Sequence, residues 1–222
     1  MLEFGLANRG FTVALVIGLL FCGMATVPAL SALRLPGNDQ GYSPVQPIAY
    51  SHRLHAGELG ISCLYCHQGA ESGRYAGVPA ASTCMNCHQF VSSTIAAQRA
   101  EDEAAKKEER SPKRVISSEL KKLYDALGLG SDLKRVPSKE LKPLAWERIH
   151  KLPDHVLFAH GPHVKAGVSC QTCHGDVQRS ERVRQHSDLS MGWCVNCHRE
   201  VNRNGVDGKP VHASTDCSAC HY

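Results

Sequence analysis

The chain has 222 residues, and its 25 basic and 21 acidic side chains leave a formal net charge of only +4. This balance lacks the basic excess of a nucleic-acid-binding protein, so we expect no nucleic-acid partner. The length predicts one or two domains, and an aromatic content of 6% is low for a core built from side chains alone.

The first predicted element is an apolar helix. Residues 11–33, FTVALVIGLLFCGMATVPALSAL, contain no charged side chain. At about 1.5 Å per residue this run can cross a hydrocarbon core about 30 Å thick, so it predicts a transmembrane helix. A cleaved signal peptide is the alternative, but the run is longer than the usual apolar core of one. Residues 1–10 are then the N-terminal cytoplasmic end, and residues 34–49, rich in Pro, Gly and polar side chains, are a linker.

Ten of the eleven cysteines fall in five copies of the pattern Cys-x-x-Cys-His. This pattern attaches haem c, because two sulfurs bond to the vinyl groups of one porphyrin and the next residue ligates the iron. Paired Cys-x-x-Cys zinc sites are the alternative, but they need no histidine after every second cysteine. We therefore expect five covalently bound haem c groups, attached through Cys63 and Cys66, Cys84 and Cys87, Cys170 and Cys173, Cys194 and Cys197, and Cys217 and Cys220. The predicted proximal ligands are His67, His88, His174, His198 and His221.

Haem attachment also predicts the location of the protein. Covalent attachment of haem c takes place outside the cytoplasm, so everything after residue 33 must be exported. The sequence therefore predicts a single-pass protein of the inner (cytoplasmic) membrane, with its haem domain on the periplasmic or extracytoplasmic side.

Two segments of the chain are repeats of one another. Residues 50–67 read YSHRLHAGELGISCLYCH, and residues 158–174 read FAHGPHVKAGVSCQTCH. Both contain His-x-x-His, a short spacer with glycine, and then the haem motif, which indicates internal duplication of a multihaem module. We divide the exported part into a two-haem module over 50–90, a helical insert over 91–145 and a three-haem module over 146–222.

The His-x-x-His pairs predict the distal iron ligands. An iron that already has a proximal histidine needs a sixth ligand, and two imidazoles three residues apart can serve two different haems. These distal ligands are His52, His55, His160 and His163. For the fifth we favour Met191, three residues before Cys194, with His150, His155, His186 and His212 as the other candidates. A thioether ligand would raise the reduction potential of that haem.

The insert has the pattern of two helices. Its first part, AQRAEDEAAKKEER, places opposite charges four residues apart, and a second helix should begin at Ser117 or Ser118 and end at Gly128. The expected fold class is mostly α and irregular, a multihaem cytochrome c built around its haems with one N-terminal transmembrane helix and a helical insert.

The blocks SHRLHAGELGISCLYCH, FAHGPHVKAGVSCQTCHG, MNCHQF and MGWCVNCHR, behind one apolar helix, give the chain a family resemblance. It resembles the pentahaem cytochrome c subunit of bacterial alternative complex III, and its modules resemble class III (c3/c7) cytochromes. The resemblance implies an electron-transfer subunit, itself not an enzyme, of a complex that oxidises membrane quinol. It implies as partners an iron–sulfur subunit, a monohaem cytochrome c, polytopic membrane subunits and a periplasmic electron acceptor, with quinol used indirectly.

Two other kinds of function use several haems in one chain. A pentahaem nitrite reductase would need an open iron site, commonly with lysine in place of a motif histidine, and all five motifs here end in histidine. The alternative function is a one-helix multihaem quinol dehydrogenase, or a cytochrome subunit that feeds a periplasmic molybdoenzyme or reductase.

Overall fold

The computed structural model describes residues 2–32 and 39–222, which fall into two compact units, one up to Asp39 and one over Gln40–Tyr222. The first unit consists of helix α1, Leu2–Ala32. The predicted membrane segment lies within α1 except for Leu33, which is outside the described residues, as are linker residues 34–38. Within residues 2–32 and 39–222, no helix has both the length and the apolar character needed to span a membrane.

The second unit contains eight short helices joined by irregular segments. They are α2 Cys63–Cys66, α3 Gly69–Ser72, α4 Ala81–His88, α5 Ile95–Lys107, α6 Ser118–Ala126, α7 His160–Lys165, α8 Cys170–His174 and α9 Met191–Asn204. A π-helical turn over Arg53–Glu58 and 3-10 turns over Val177–Arg179 and Cys217–Ala219 complete the helical structure. Across residues 2–32 and 39–222, extended pairing is limited to isolated bridges, so the predicted mostly helical and irregular fold class is correct at this level.

Few side chains of the described chain are buried. The buried hydrophobic residues are Ala70, Ala105, Leu123 and Tyr124. A unit of this size built from side chains alone would bury a contiguous apolar core, so the chain is organised around something other than its own apolar side chains.

Both insert helices form, and the second packs on the second haem motif. The Thr94 and Ser117 side chains cap α5 and α6 by accepting hydrogen bonds from backbone N–H groups three residues on. Tyr124 is buried on α6, and its hydroxyl donates to the backbone carbonyl of His88 at 2.6 Å. The insert therefore supports the second haem motif as well as separating the two modules in sequence.

The described part of the predicted linker is bound to the three-haem module. Gln185 is only 1% exposed. Its backbone carbonyl accepts a hydrogen bond from Gly41 N at 2.8 Å, and its backbone N–H donates to the carbonyl of Tyr42 at 2.9 Å. The Ser43 hydroxyl donates to the carbonyl of Val183 at 3.0 Å. Residues 40–43 therefore have fixed positions within the second unit.

The two repeats pack on each other reciprocally. The His-x-x-His segment of the second repeat, on α7, lies against α3, which follows the first haem motif; Gly161 N donates to Gly73 O at 3.0 Å. The corresponding segment of the first repeat lies against the 3-10 turn after the third motif, where Arg53 N donates to Ser180 O at 3.0 Å. Each repeat thus positions its distal histidines with help from the other.

Candidate haem-binding sites

Each Cys-x-x-Cys-His motif lies in or at the start of a helical turn. One turn of helix brings side chains three residues apart to the same side, so the two thiols of a motif face in one direction. None of the ten motif cysteines forms a disulfide in the described part of the chain. This is the local arrangement that bonding to two vinyl groups of one porphyrin requires.

Each of the five motif histidines has another histidine ring opposite it. The ring centroids are 6.5 Å apart for His52 and His67, 6.1 Å for His55 and His88, 6.3 Å for His160 and His174, 6.0 Å for His163 and His198, and 5.5 Å for His155 and His221. Two imidazoles that bind one metal from opposite sides, at metal–nitrogen distances of about 2 Å, have centroids about 6 Å apart. The spacing of these pairs therefore fits bis-histidine ligation of iron.

Hydrogen bonds orient most of these rings. When the Nδ1–H of a histidine donates to an acceptor, its Nε2 remains available for a metal. The Nδ1 atoms lie 2.7 to 3.0 Å from backbone carbonyl oxygens in the pairs His67 and Gly77, His88 and Val91, His55 and Ser51, His160 and Arg74, and His163 and Ala159. His198 makes the same contact with Ser214 at 2.5 Å. For His174 the Nδ1 partner is Nε2 of His150 at 3.1 Å.

The electrostatics keep the central histidines neutral. Burial, followed by the neighbouring His67 and His55, lowers the pKa of His52 to about 4. Burial, followed by His160 and His67, lowers the pKa of His174 to about 4 in the same way. Neutral imidazole is the form that ligates metals, so these groups need lose no proton at neutral pH.

The fifth pair differs from the sequence-based expectation. Met191 is the first residue of α9 and is 69% exposed, while every motif histidine already faces a histidine. His155 lies opposite the last motif histidine because local pairing holds its segment there: Leu157 N donates to Cys220 O at 2.7 Å, and Val156 bridges to His221. Among the other candidates, His150 contacts His174 as a neighbour, and His186 lies against Gly175. No feature of the sequence distinguishes His155 from the other candidates, His150, His186 and His212.

Neighbouring thiols give the spatial order of the motifs. The pKa of the Cys84 thiol, in the second motif, is raised by burial and then by the nearby Cys66 of the first motif. Burial and then Cys63 raise the pKa of Cys170, and these two thiols are within hydrogen-bonding reach, which joins the first motif to the third.

The same contacts continue through the second repeat. Burial, followed by Cys197 and Cys194 of the fourth motif, raises the pKa of Cys173 to about 11. The pKa of Cys194 is likewise raised by burial and then by the nearby Cys220 of the fifth motif. These contacts join the second motif to the first, the first to the third, the third to the fourth and the fourth to the fifth.

Comparison with known proteins agrees with this geometry. Residues 156–222 match the family described as cytochrome c7 and related cytochrome c. The chain is also 26% identical over 196 residues to the "Menaquinone reductase, multiheme cytochrome c subunit" of Nitratidesulfovibrio vulgaris strain Hildenborough, an alignment that covers 79% of this chain and 76% of the relative.

Five opposed histidine pairs behind attachment motifs, together with these matches, indicate the class of protein: the chain has the features of a multihaem cytochrome c, and its residues 156–222 are similar to cytochrome c7. More particularly, it is a homologue of the multihaem cytochrome subunit of that menaquinone reductase.

Proposed function

We propose that the chain carries five haem c groups, each held by one motif and one opposed histidine pair. The observation that carries this proposal is the set of five ring separations near 6 Å, one at each motif. The proposed distal ligands are His52, His55, His160, His163 and His155, in place of Met191 for the last. If each histidine pair held its iron from both sides, no iron would be open to substrate, which supports electron transfer rather than catalysis.

The bound irons would supply one-electron oxidation and reduction. The residues of the chain hold the sites at fixed separations, orient the axial imidazoles through Nδ1 hydrogen bonds, and place the motifs in one continuous series. The second and fifth motifs are its two ends, and the first and third meet at its centre, where the repeats pack on each other. This order supports a role as a conductor with two distinct contact points for partners.

We further propose that the protein is an electron-transfer subunit anchored in the cytoplasmic membrane, with the haem motifs on the periplasmic side. Support comes from the uncharged run over residues 11–33 and from exposed apolar side chains on α1, among them Phe11, Leu19 and Phe21. Extraction with alkaline carbonate tests this: an anchored protein stays with the membrane pellet, and release into the supernatant would contradict it.

The larger assembly that we propose is a quinol-oxidising complex of the alternative complex III type. The iron–sulfur subunit, monohaem cytochrome c and polytopic membrane subunits expected from the resemblance would be its partners, and electrons would leave to a periplasmic acceptor. The sequence blocks around the motifs support this assignment.

A second candidate is a subunit of a menaquinone reductase, in which electrons would flow toward the quinone pool. The similarity to the Nitratidesulfovibrio vulgaris subunit favours this alternative. The two candidates predict opposite directions of electron flow through the same chain.

Purification of the intact complex in mild detergent separates these candidates. We expect menaquinol to reduce the haems, and an added periplasmic acceptor to reoxidise them, if the complex oxidises quinol. Reduction of menaquinone by chemically prereduced haems, without reduction of the haems by menaquinol, would instead establish the reductase. A chain that purifies without partners would contradict both assignments.

A further inference from the structure

The hydrogen-bond partner of His174 is a side chain, whereas three other motif histidines have backbone carbonyls as partners. Its Nδ1 lies 3.1 Å from Nε2 of His150, with the ring centroids 4.3 Å apart and the ring planes at 80°. The corresponding Nδ1 atoms of His67, His88 and His198 lie against backbone carbonyl oxygens. The third motif therefore has an ionisable side chain as the partner of its proximal histidine, where these other motifs have the main chain.

The direction of this hydrogen bond follows from the role of His174. A proximal histidine uses Nε2 for iron, so its Nδ1 carries the proton and can only donate. Nε2 of His150 must then be the unprotonated acceptor. This step rests on the proposed attachment of haem at the third motif.

Two hydrogen bonds fix the backbone at His150 and at the residue after it. The guanidinium of Arg148 donates to the carbonyl of His150 at 3.0 Å, and Lys151 N donates to the side-chain oxygen of Gln185 at 3.4 Å. Gln185 also binds residues 41 and 42, so the position of His150 is fixed by one buried side chain and the segments around it.

We propose that His150 is a positioning residue that sets the reduction potential of the third haem by accepting the Nδ1–H of His174. A proximal histidine that donates a hydrogen bond gives more electron density to its iron, which stabilises the oxidised state and lowers the potential. The third motif lies where the two repeats meet. The reduction potential of its haem therefore governs electron exchange between the two-haem and three-haem modules.

The test is a redox titration of the full-length membrane protein that is monitored by optical and EPR spectroscopy. His150→Phe should raise the potential of one haem and leave four unchanged, with about a tenfold change in the ratio of its reduced to oxidised forms, or about 59 mV for one electron. His150→Gln, whose side-chain oxygen can accept the same bond, should return the potential toward that of the wild type. His212→Phe is the matched control, since His212 is exposed and has no ring contact with another histidine in the described chain.

Denaturing mass spectrometry of each variant comes first and separates this proposal from the proposed function. A wild-type chain without five haems would overturn the proposed function. With five haems retained, an unchanged titration of His150→Phe, a shift of all five haems together, or an equal shift in His212→Phe would overturn the role of His150.

A second measurement covers the case in which His150→Phe does not retain its haems. In the reduced, diamagnetic wild-type protein labelled with ¹⁵N-histidine, NMR should detect a scalar coupling between Nδ1 of His174 and Nε2 of His150 across the hydrogen bond. Absence of this coupling, with both resonances assigned, would overturn the proposal without any variant.

Discussion

His155 lies opposite His221, and their ring centroids are 5.5 Å apart with an angle of 25° between the ring planes. Three backbone-directed contacts hold them there: the bridge between Val156 and His221, the 2.7 Å hydrogen bond from Leu157 N to Cys220 O, and the 2.7 Å hydrogen bond from the Tyr222 hydroxyl to Asp154 O. The segment before the second His-x-x-His pair and the last haem motif are thus one local structure. This geometry favours His155 over the expected Met191 as the proposed ligand opposite His221.

The first prediction concerns this pair. His155→Ala should leave one iron five-coordinate and high-spin, because the opposite axial position loses its only imidazole. One equivalent of carbon monoxide should then bind per reduced chain, as measured by optical titration. Met191→Ala is the control and should bind none; the reverse result would establish Met191 as the ligand.

The second prediction concerns EPR spectra of the oxidised protein. Parallel axial imidazoles interact with the same iron d orbital and split the d levels strongly, whereas twisted rings interact with two orbitals and reduce that splitting. The planes of His52 and His67 are 3° apart, and those of His55 and His88 are 61° apart. We expect the second haem to give the signal with the largest g value and the first a rhombic signal. If His55→Ala leaves the largest-g signal intact, the assignment is wrong.

The third prediction concerns the insert. Tyr124→Phe removes the hydroxyl that donates to His88 O at 2.6 Å and leaves that carbonyl without this partner. We expect a loss of about 1–3 kcal/mol in the free energy of unfolding, measured by denaturant titration. Tyr75→Phe is the control, because Tyr75 is 67% exposed and should tolerate the change.

The fourth prediction concerns the reciprocal packing of the repeats. A Cβ atom on Gly57 would lie 2.3 Å from the backbone oxygen of Gln178, so Gly57→Ala must displace the turn that follows the third motif. We expect a loss of about 1–3 kcal/mol in stability and an altered spectrum of the first or third haem. At Gly192, the nearest atom to an added Cβ is Ser190 Oγ at 3.9 Å, so Gly192→Ala should have neither effect.

The fifth prediction concerns pH. The side-chain hydrogen bond from Arg110, together with the backbone N–H of Lys113, lowers the pKa of Glu101 to about 2. A lowered carboxyl pKa stabilises the fold above its ordinary value of 4.5, and this stabilisation is lost as pH falls through about 2.

Hydrogen exchange of the Lys113 amide measures this effect locally, since that N–H donates to Glu101 Oε1 at 2.8 Å. Relative to Glu101→Gln, the wild type should protect the amide at pH 5, and the difference should fall to about half near pH 2 and decrease further below it. A difference that persists unchanged at pH 2 would contradict the lowered pKa.

The sequence alone determined the chemistry that needs only residues close together along the chain. Haem attachment needs two sulfurs and an imidazole within one helical turn, so the spacing of Cys63, Cys66 and His67 identifies it without any tertiary information. The second insert helix, Ser118–Ala126, was predictable for the same reason: Ser117 caps its start, and Gly128, at a φ of 64°, follows its end.

Only the tertiary structure decided which histidines face each other and in what order the motifs follow. His155 and His221 are distant in sequence, and their pairing depends on the backbone contacts that join residues 154–157 to the last motif. The contact between Cys63 and Cys170 likewise exists because each repeat packs its histidine segment on the other repeat. Axial ligation and motif order are long-range properties of the packed chain, whereas covalent attachment is a property of five consecutive residues.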